Sequence, residues 1–173
     1  MTPELNPLQQ AASLVDAGQW QSAEALLRQL IAQQPGLPAA HYLFGLVLVN
    51  TDRMAEAAEA FGVARQLQPG LVAAWLNQAA ALGCLDQPQA AYALLQEALQ
   101  CHPQQVELLL AAGRAAIRLE HWPEAQAWLE QALSLGGRSG SCLAHLGIAR
   151  LEQGDAQAAL GHLQDAVALD PAN

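Results

Sequence analysis

The residues whose types suit chemistry are few and scattered. Gly137-Arg138-Ser139-Gly140 has the outline of a nucleophile elbow, which places a serine on a sharp strand-to-helix turn. The closing glycine of G-x-S-x-G is missing, and the segment falls in a turn between helices. His162 and Asp165 stand three apart, so a helix sets both on one face as two possible metal ligands, but two ligands do not make a site. His41, His102, His121 and His145 are dispersed along the chain, and there is no HExxH. Glu120 and Glu124 have carboxylate spacing, and their place at a helix start favours a dipole role over acid/base work. All seven basic residues are Arg, which removes a Schiff-base or P-loop lysine. No catalytic constellation, metal site or cofactor site emerges, and the expectation is a protein that is not an enzyme and holds no cofactor.

Charge and cysteines narrow the partners. The chain carries a net charge of −9, so a phosphate backbone is repelled and nucleic acid is not an expected partner. Cys84, Cys101 and Cys142 are odd in number and form no CxxC pair, which argues against a disulfide framework and fits a reducing compartment. The opening Met-Thr-Pro-Glu-Leu-Asn-Pro has neither the basic nor the apolar region of a signal peptide. The longest apolar run, Leu43 to Val49, is too short to span a bilayer. The expectation is a cytoplasmic chain that does not engage a membrane.

The elements that position these residues follow a period of 34. Pro35, Pro69 and Pro103 are 34 residues apart, and the next steps land on Gly137 and Pro171. Ala23, Ala57, Ala91, Ala125 and Ala159 keep the same step. Four residues after each stands Leu27, Phe61, Leu95, Leu129 or Leu163, and three further on Leu30, Ala64, Ala98, Ala132 or Ala166. Those spacings place all three on one helical face, the buried stripe of a second helix. The first helix has a small slot at Ala11, Gly45, Ala79, Gly113 and Gly147, where another helix approaches closely. Between the helices lie polar turns, in which Asp86, Glu120 and Asp155 are expected to start the second helix and Pro88 or Pro123 to suit its first turn. Gly136-Gly137-Arg138-Ser139-Gly140-Ser141 replaces one proline turn and reads either as a left-handed cap with a longer turn or as a hinge.

These marks resemble the tetratricopeptide repeat (TPR) family, whose pattern is W-x2-L-G-x2-Y, then A-x3-F, then P. One unit reads His41-x2-Phe44-Gly45-x2-Leu48, Ala57-x3-Phe61, Pro69, and the next Trp75-x2-Gln78-Ala79-x2-Leu82, Ala91-x3-Leu95, Pro103. The resemblance covers five units, about 4–37, 38–71, 72–105, 106–139 and 140–173, read as a single array over 1–173. Pro7 stands where the family has a bulky residue. The resemblance implies an all-α fold, a right-handed α-solenoid of helix–turn–helix repeats, with first helices lining a concave groove that takes a peptide or helix of a partner protein.

On that basis the groove is expected to contain Leu8 and Val15; Tyr42, Leu46, Val49 and Asn50; Leu76 and Asn77; Leu110, Arg114, Ile117 and Arg118; and Ile148 and Leu151. Leu5 is a further candidate on the first helix. So apolar a set marks an interaction surface if exposed. Arg114 and Arg118, four apart on one helix face, form a positive spot for a partner carboxylate, or pair within the chain with Glu107 or Glu152. The chaperone-tail carboxylate clamp of some family members is not expected, because Lys is absent and Leu8 and Leu43 fill polar clamp slots. A continuous asparagine ladder is also absent. The function expected is a scaffold or adaptor for protein partners. Two alternatives stand beside it: a recruiting or regulatory domain of a larger bacterial transferase or hydroxylase, and a module that self-associates through its final repeat. Both draw on that repeat ending at Asp170-Pro171-Ala172-Asn173 with no capping helix after it.

Overall fold

A computed structural model describes residues 6–170. Leu5 and Pro171 lie outside them. Ten α-helices and no strands occur among the described residues, and the fold class is the all-α solenoid type built from helix–turn–helix repeats. The chain divides into two compact units, Met1–Gln87 and Pro88–Asn173, with the boundary between the two helices of the third repeat.

The first unit holds α1 (Pro7–Asp16), α2 (Trp20–Gln33), α3 (Pro38–Asn50), α4 (Met54–Leu67) and α5 (Val72–Cys84). Each packs on the next, and α1 also touches α3. The second unit holds α6 (Pro88–Cys101), α7 (Val106–Arg118), α8 (Trp122–Ser134), α9 (Gly140–Glu152) and α10 (Ala156–Leu169), again packed in series, with α7 touching α9. Pro7 opens α1 behind Asn6, whose side chain and that of Gln9 form a reciprocal capping box. Pro88 and Pro123 fall in the first turns of α6 and α8, where a missing N–H costs nothing.

The 34-residue stripe is the core. Ala23, Ala57, Ala91, Ala125 and Ala159 are all buried, as are Leu27, Phe61, Leu95 and Leu129. Leu163 is half-buried. The small slot exists to admit the large residue sixteen positions later. A Cβ on Gly45 would lie 2.5 Å from the Phe61 ring, one on Gly113 2.7 Å from Leu129, and one on Gly147 2.7 Å from Leu163.

The inter-helix turns carry a second 34-residue series. Gly18, Asp52, Asp86, Glu120 and Gly154 all have positive φ, between 55° and 85°. After each, a backbone N–H donates to the carbonyl five residues back: Gln19 to Leu14, Arg53 to Leu48, Gln87 to Leu82, His121 to Ala116 and Asp155 to Arg150. This is a Schellman closure of the first helix. Asp86 and Glu120 therefore end the first helix in the left-handed region and do not start the second as N-caps. Only Asp155 takes the expected role, accepting from Ala158 N at 3.1 Å. The glycine-rich junction uses the same device. Gly136 has φ 90°, Gly137 N donates to Ala132 O at 2.8 Å, and Ser139 Oγ accepts from Cys142 N at 3.1 Å to cap α9.

Candidate functional site

In the first unit the groove residues sit on α1, α3 and α5. Leu8 and Val15 are half-buried against a core of Ala11, Ala23, Leu27, Leu30, Ala40 and Val47. Tyr42, Leu46 and Val49 are half-buried against Leu48, Ala57, Ala60 and Phe61. The Tyr42 ring lies 5.7 Å from that of Phe61, tilted by 53°, and its Oη accepts from Asn77 Nδ2 at 3.1 Å. That bond ties α3 to α5. Asn50 is exposed, with its amide donating to Leu46 O, and Leu76 is half-buried. Most of these side chains form the floor of the face, anchored in the core.

In the second unit they sit on α7 and α9. Leu110 and Ile117 are half-buried against Leu129, Cys142 and Leu146, and Ile117 also reaches the cluster of Tyr92, Ala116, Ala125 and Ala149. Ile148 and Leu151 differ, at 41% and 51% exposed. Arg114 and Arg118 are both exposed. Neither the expected Glu107 nor Glu152 holds Arg114, whose side chain forms no hydrogen bond or ion pair among the described residues.

The remaining cations and acids are largely committed to structure. Glu24 on α2 accepts from Arg28 one turn on and, at 2.7 Å, from Arg53, which also pairs with Glu56. The guanidinium of Arg53, with Arg28 after it, holds the Glu24 carboxyl below the usual carboxylate range, and Arg53 does the same for Glu56. The two acids push Arg53 upward in turn. Arg150 links Glu130 and Asp155, and Arg138 takes Asp165 at 2.8 Å. No group of three His, Cys, Asp or Glu suited to a metal occurs among the described residues. Ser139 of the elbow-like segment is spent on its cap. Cys84 and Cys101 are exposed thiols, whereas Cys142 is buried and burial pushes its thiol up.

One feature escaped the sequence pattern. A cleft of about 420 Å³ between α6 and α8 is lined by Gln96, Leu99, Gln100, Pro103, Trp128 and Gln131. The Trp128 indole N–H is buried without a hydrogen-bond partner. Among the described residues no helix is long and apolar enough to cross a membrane.

Residues 8–72 and 85–137 each match a tetratricopeptide repeat family model. No curated protein matches. Among solved structures, the chain is similar to YrrB, a TPR protein with an unusual peptide-binding site. The identity is 18%, with 96% of this chain and 86% of that one covered and a TM-score of 0.82. MamA of AMB-1 is similar at 20% identity over 98% of this chain and 100% of that one, TM-score 0.81. MamA from Desulfovibrio magneticus RS-1 is similar at 18% identity over 98% of both, TM-score 0.80. At such identities these likenesses show the fold alone, but the two family matches together span more than half of the repeats set out above. The chain belongs to the tetratricopeptide repeat family.

Proposed function

We propose that this scaffold binds a protein partner on the exposed side of its first helices, and that the partner segment is apolar with at least one carboxylate. A TPR protein of this kind is in general a protein-interaction scaffold. The observation that carries the finer reading is the side of α9 and α7 in the second unit. Ile148 and Leu151 present apolar surface to solvent beside a helix whose Arg114 side chain forms no ion pair among the described residues, in a chain of net charge −9. Leu110 and Ile117 form the floor of that face, and Arg118 lies one turn beyond Arg114. In the first unit, Leu8, Val15, Tyr42, Leu46, Val49, Asn50, Leu76 and Asn77 supply the corresponding floor and amides. Ile148 and Leu151 are already about half covered, so burying the rest offers roughly 0.7–1.5 kcal/mol each before the costs of association. A bidentate bond from Arg114 to a carboxylate adds direction. That YrrB carries a peptide-binding site supports the reading.

The test is a pull-down with the wild type, an Ile148→Glu/Leu151→Glu variant and an Arg114→Ala variant. Leu46 and Ile117 are poor choices, because both are packed into core clusters and a glutamate there attacks the fold. The double variant is expected to lose partners that the wild type recovers, and Arg114→Ala to weaken them and flatten their salt dependence. Identical recovery by all three proteins refutes the site.

A further inference from the structure

Three of the seams between successive second helices fall within one compact unit: α2–α4, α6–α8 and α8–α10. At two of them the polar side chains are spent inside the chain. Arg28 and Glu130 stand at the repeat position of Gln96, and Asp165 at that of Gln131. Arg28 bonds Glu24 and lies 5.1 Å over the Phe44 ring. Glu130 takes Arg150, and Asp165 takes Arg138.

The α6–α8 seam differs. Its cleft of about 420 Å³ has no charged residue in its lining. Gln96 and Gln100, one turn apart on α6, are exposed, and their side-chain amides form no hydrogen bond among the described residues. Leu99 lines the same space and is 5% exposed. From α8, Gln131 donates to Pro103 O at 3.0 Å and ties that wall to the turn after α6. Trp128 stands where α4 has Ala60 and α10 has His162, and its indole N–H is buried without a partner. An orphaned buried donor is rare in a folded protein, and indole donates only, so what it lacks is an acceptor. An anion would enter without a counter-charge, into a chain of net charge −9. The missing acceptor is therefore a neutral carbonyl.

We propose that this cleft takes a short, uncharged, proline-bearing segment of a partner protein, held extended, with a backbone carbonyl on Trp128 Nε1 and its rings against Leu99 and Pro103. A prolyl residue brings a carbonyl and an apolar ring but no N–H, so it leaves no donor unmet in an apolar wall. The amides of Gln96 and Gln100 hold both a donor and an acceptor for the flanking peptide groups. Such a segment is already extended in solution, so little ordering is lost on binding, which a site this small requires. Trp128 Nε1 is covered in the free protein, so seating the segment turns aside the long glutamine side chains at the rim. A sugar brings hydroxyl donors as well as acceptors, and no carboxylate lines the cleft to receive them. The cleft shares no residue with the face of Arg114, Ile148 and Leu151. Being uncharged, it binds equally at low and high salt, whereas a carboxylate held by Arg114 is released as salt rises.

The indole N–H resonances of the isotope-labelled 173-residue protein read the contact directly, with that of Trp128 identified by its loss in Trp128→Phe. The probe is an N-acetylated, C-amidated pentaproline, added to about 10 mM. The Trp128 indole proton is expected to move downfield and saturate as it gains an acceptor, with the same midpoint at low and high salt. Those of Trp20, Trp75 and Trp122 are expected to hold still. Gln96→Ala/Gln100→Ala, altered only at exposed helix positions and checked by circular dichroism, is expected to raise the dissociation constant at least about tenfold. Ile148→Glu/Leu151→Glu is expected to bind the probe as the wild type does. A Trp128 resonance that stays in place throughout overturns the proposal. Equal binding by the glutamine variant, a shift with maltose but not with the peptide, or a bound water on the indole that the peptide does not displace overturns it as well.

Discussion

Adding one methyl group at Gly45 sets two effects against each other. Alanine improves on glycine in a helix interior by about 1 kcal/mol. A Cβ at this position, however, would lie 2.5, 2.7 and 2.8 Å from three atoms of the Phe61 ring. Comfortable carbon contacts begin near ~3.5 Å, so the ring must retreat by about 1 Å. Phe61 is fully buried with its ring tilted against that of Tyr42, so close packing leaves it little room to retreat. Overpacking of this kind costs about 1–3 kcal/mol, and so close a contact belongs at the upper end. Gly45→Ala is therefore expected to destabilise the protein by about 1–2 kcal/mol net, a fall in melting temperature of about 2–8 °C. Thermal and urea unfolding followed by circular dichroism measure it. Gly161→Ala supplies the control, because a Cβ there meets nothing within 4 Å and only the helix gain of about 0.5–1 kcal/mol remains. In a Phe61→Ala background, itself costly, the Gly45 substitution should turn favourable. If Gly45→Ala is as stable as the wild type, the slot is not a packing constraint and the account of the 34-residue period is wrong at its centre.

Three further outcomes follow from the geometry. Glu120 sits at φ 59°, so Glu120→Gly is expected to raise stability by about 0.5–1 kcal/mol in urea unfolding, whereas a loss would mean its side chain holds the turn. Glu24 is held below its ordinary range by Arg53 and Arg28, so its contribution is full above the unfolded carboxylate value near ~4.3 and is lost as pH falls through the lower folded value. The melting-temperature advantage of wild type over Glu24→Gln should thus be greatest near neutrality and disappear in strong acid; a gap that widens on acidification contradicts the ion-pair account. Cys142 is buried with its thiol pushed up, so iodoacetamide at mildly alkaline pH should label Cys84 and Cys101 quickly and Cys142 only after unfolding, as read by mass spectrometry.

The repeat was legible because it is a packing rule written five times. A small residue at Gly45, Gly113 or Gly147 and a large one sixteen positions later constrain each other through direct contact, and periodicity finds such pairs. The turn residues were misassigned for a physical reason. An acid just before a helix satisfies the chemistry of an N-cap, but Asp86 and Glu120 fall on the series of Gly18 and Gly154, and two glycines in register with them mark a left-handed position. Which groove residues are exposed was not legible at all. Leu46 and Ile148 occupy the same repeat position, yet Leu46 is packed against the Phe61 cluster while Ile148 meets solvent.

That position is itself informative. The slot reads Ala11, Gly45, Ala79, Gly113 and Gly147, always small, because closing helices forbid anything else. The adjacent position reads Ala12, Leu46, Ala80, Arg114 and Ile148, which differ in size, polarity and charge. Packing that tolerates alanine, leucine and arginine at one site does not specify it. Where the fold repeats its demands the residues repeat, and where they vary along one face the fold has left the choice open. Arg114 and Ile148 are the two members of that series that meet solvent with a charge or an exposed branched side chain, and so the two best placed to be set by a partner. The Arg114→Ala and Ile148→Glu/Leu151→Glu variants therefore separate partner binding from folding, because the slot next door carries the structural load and theirs does not.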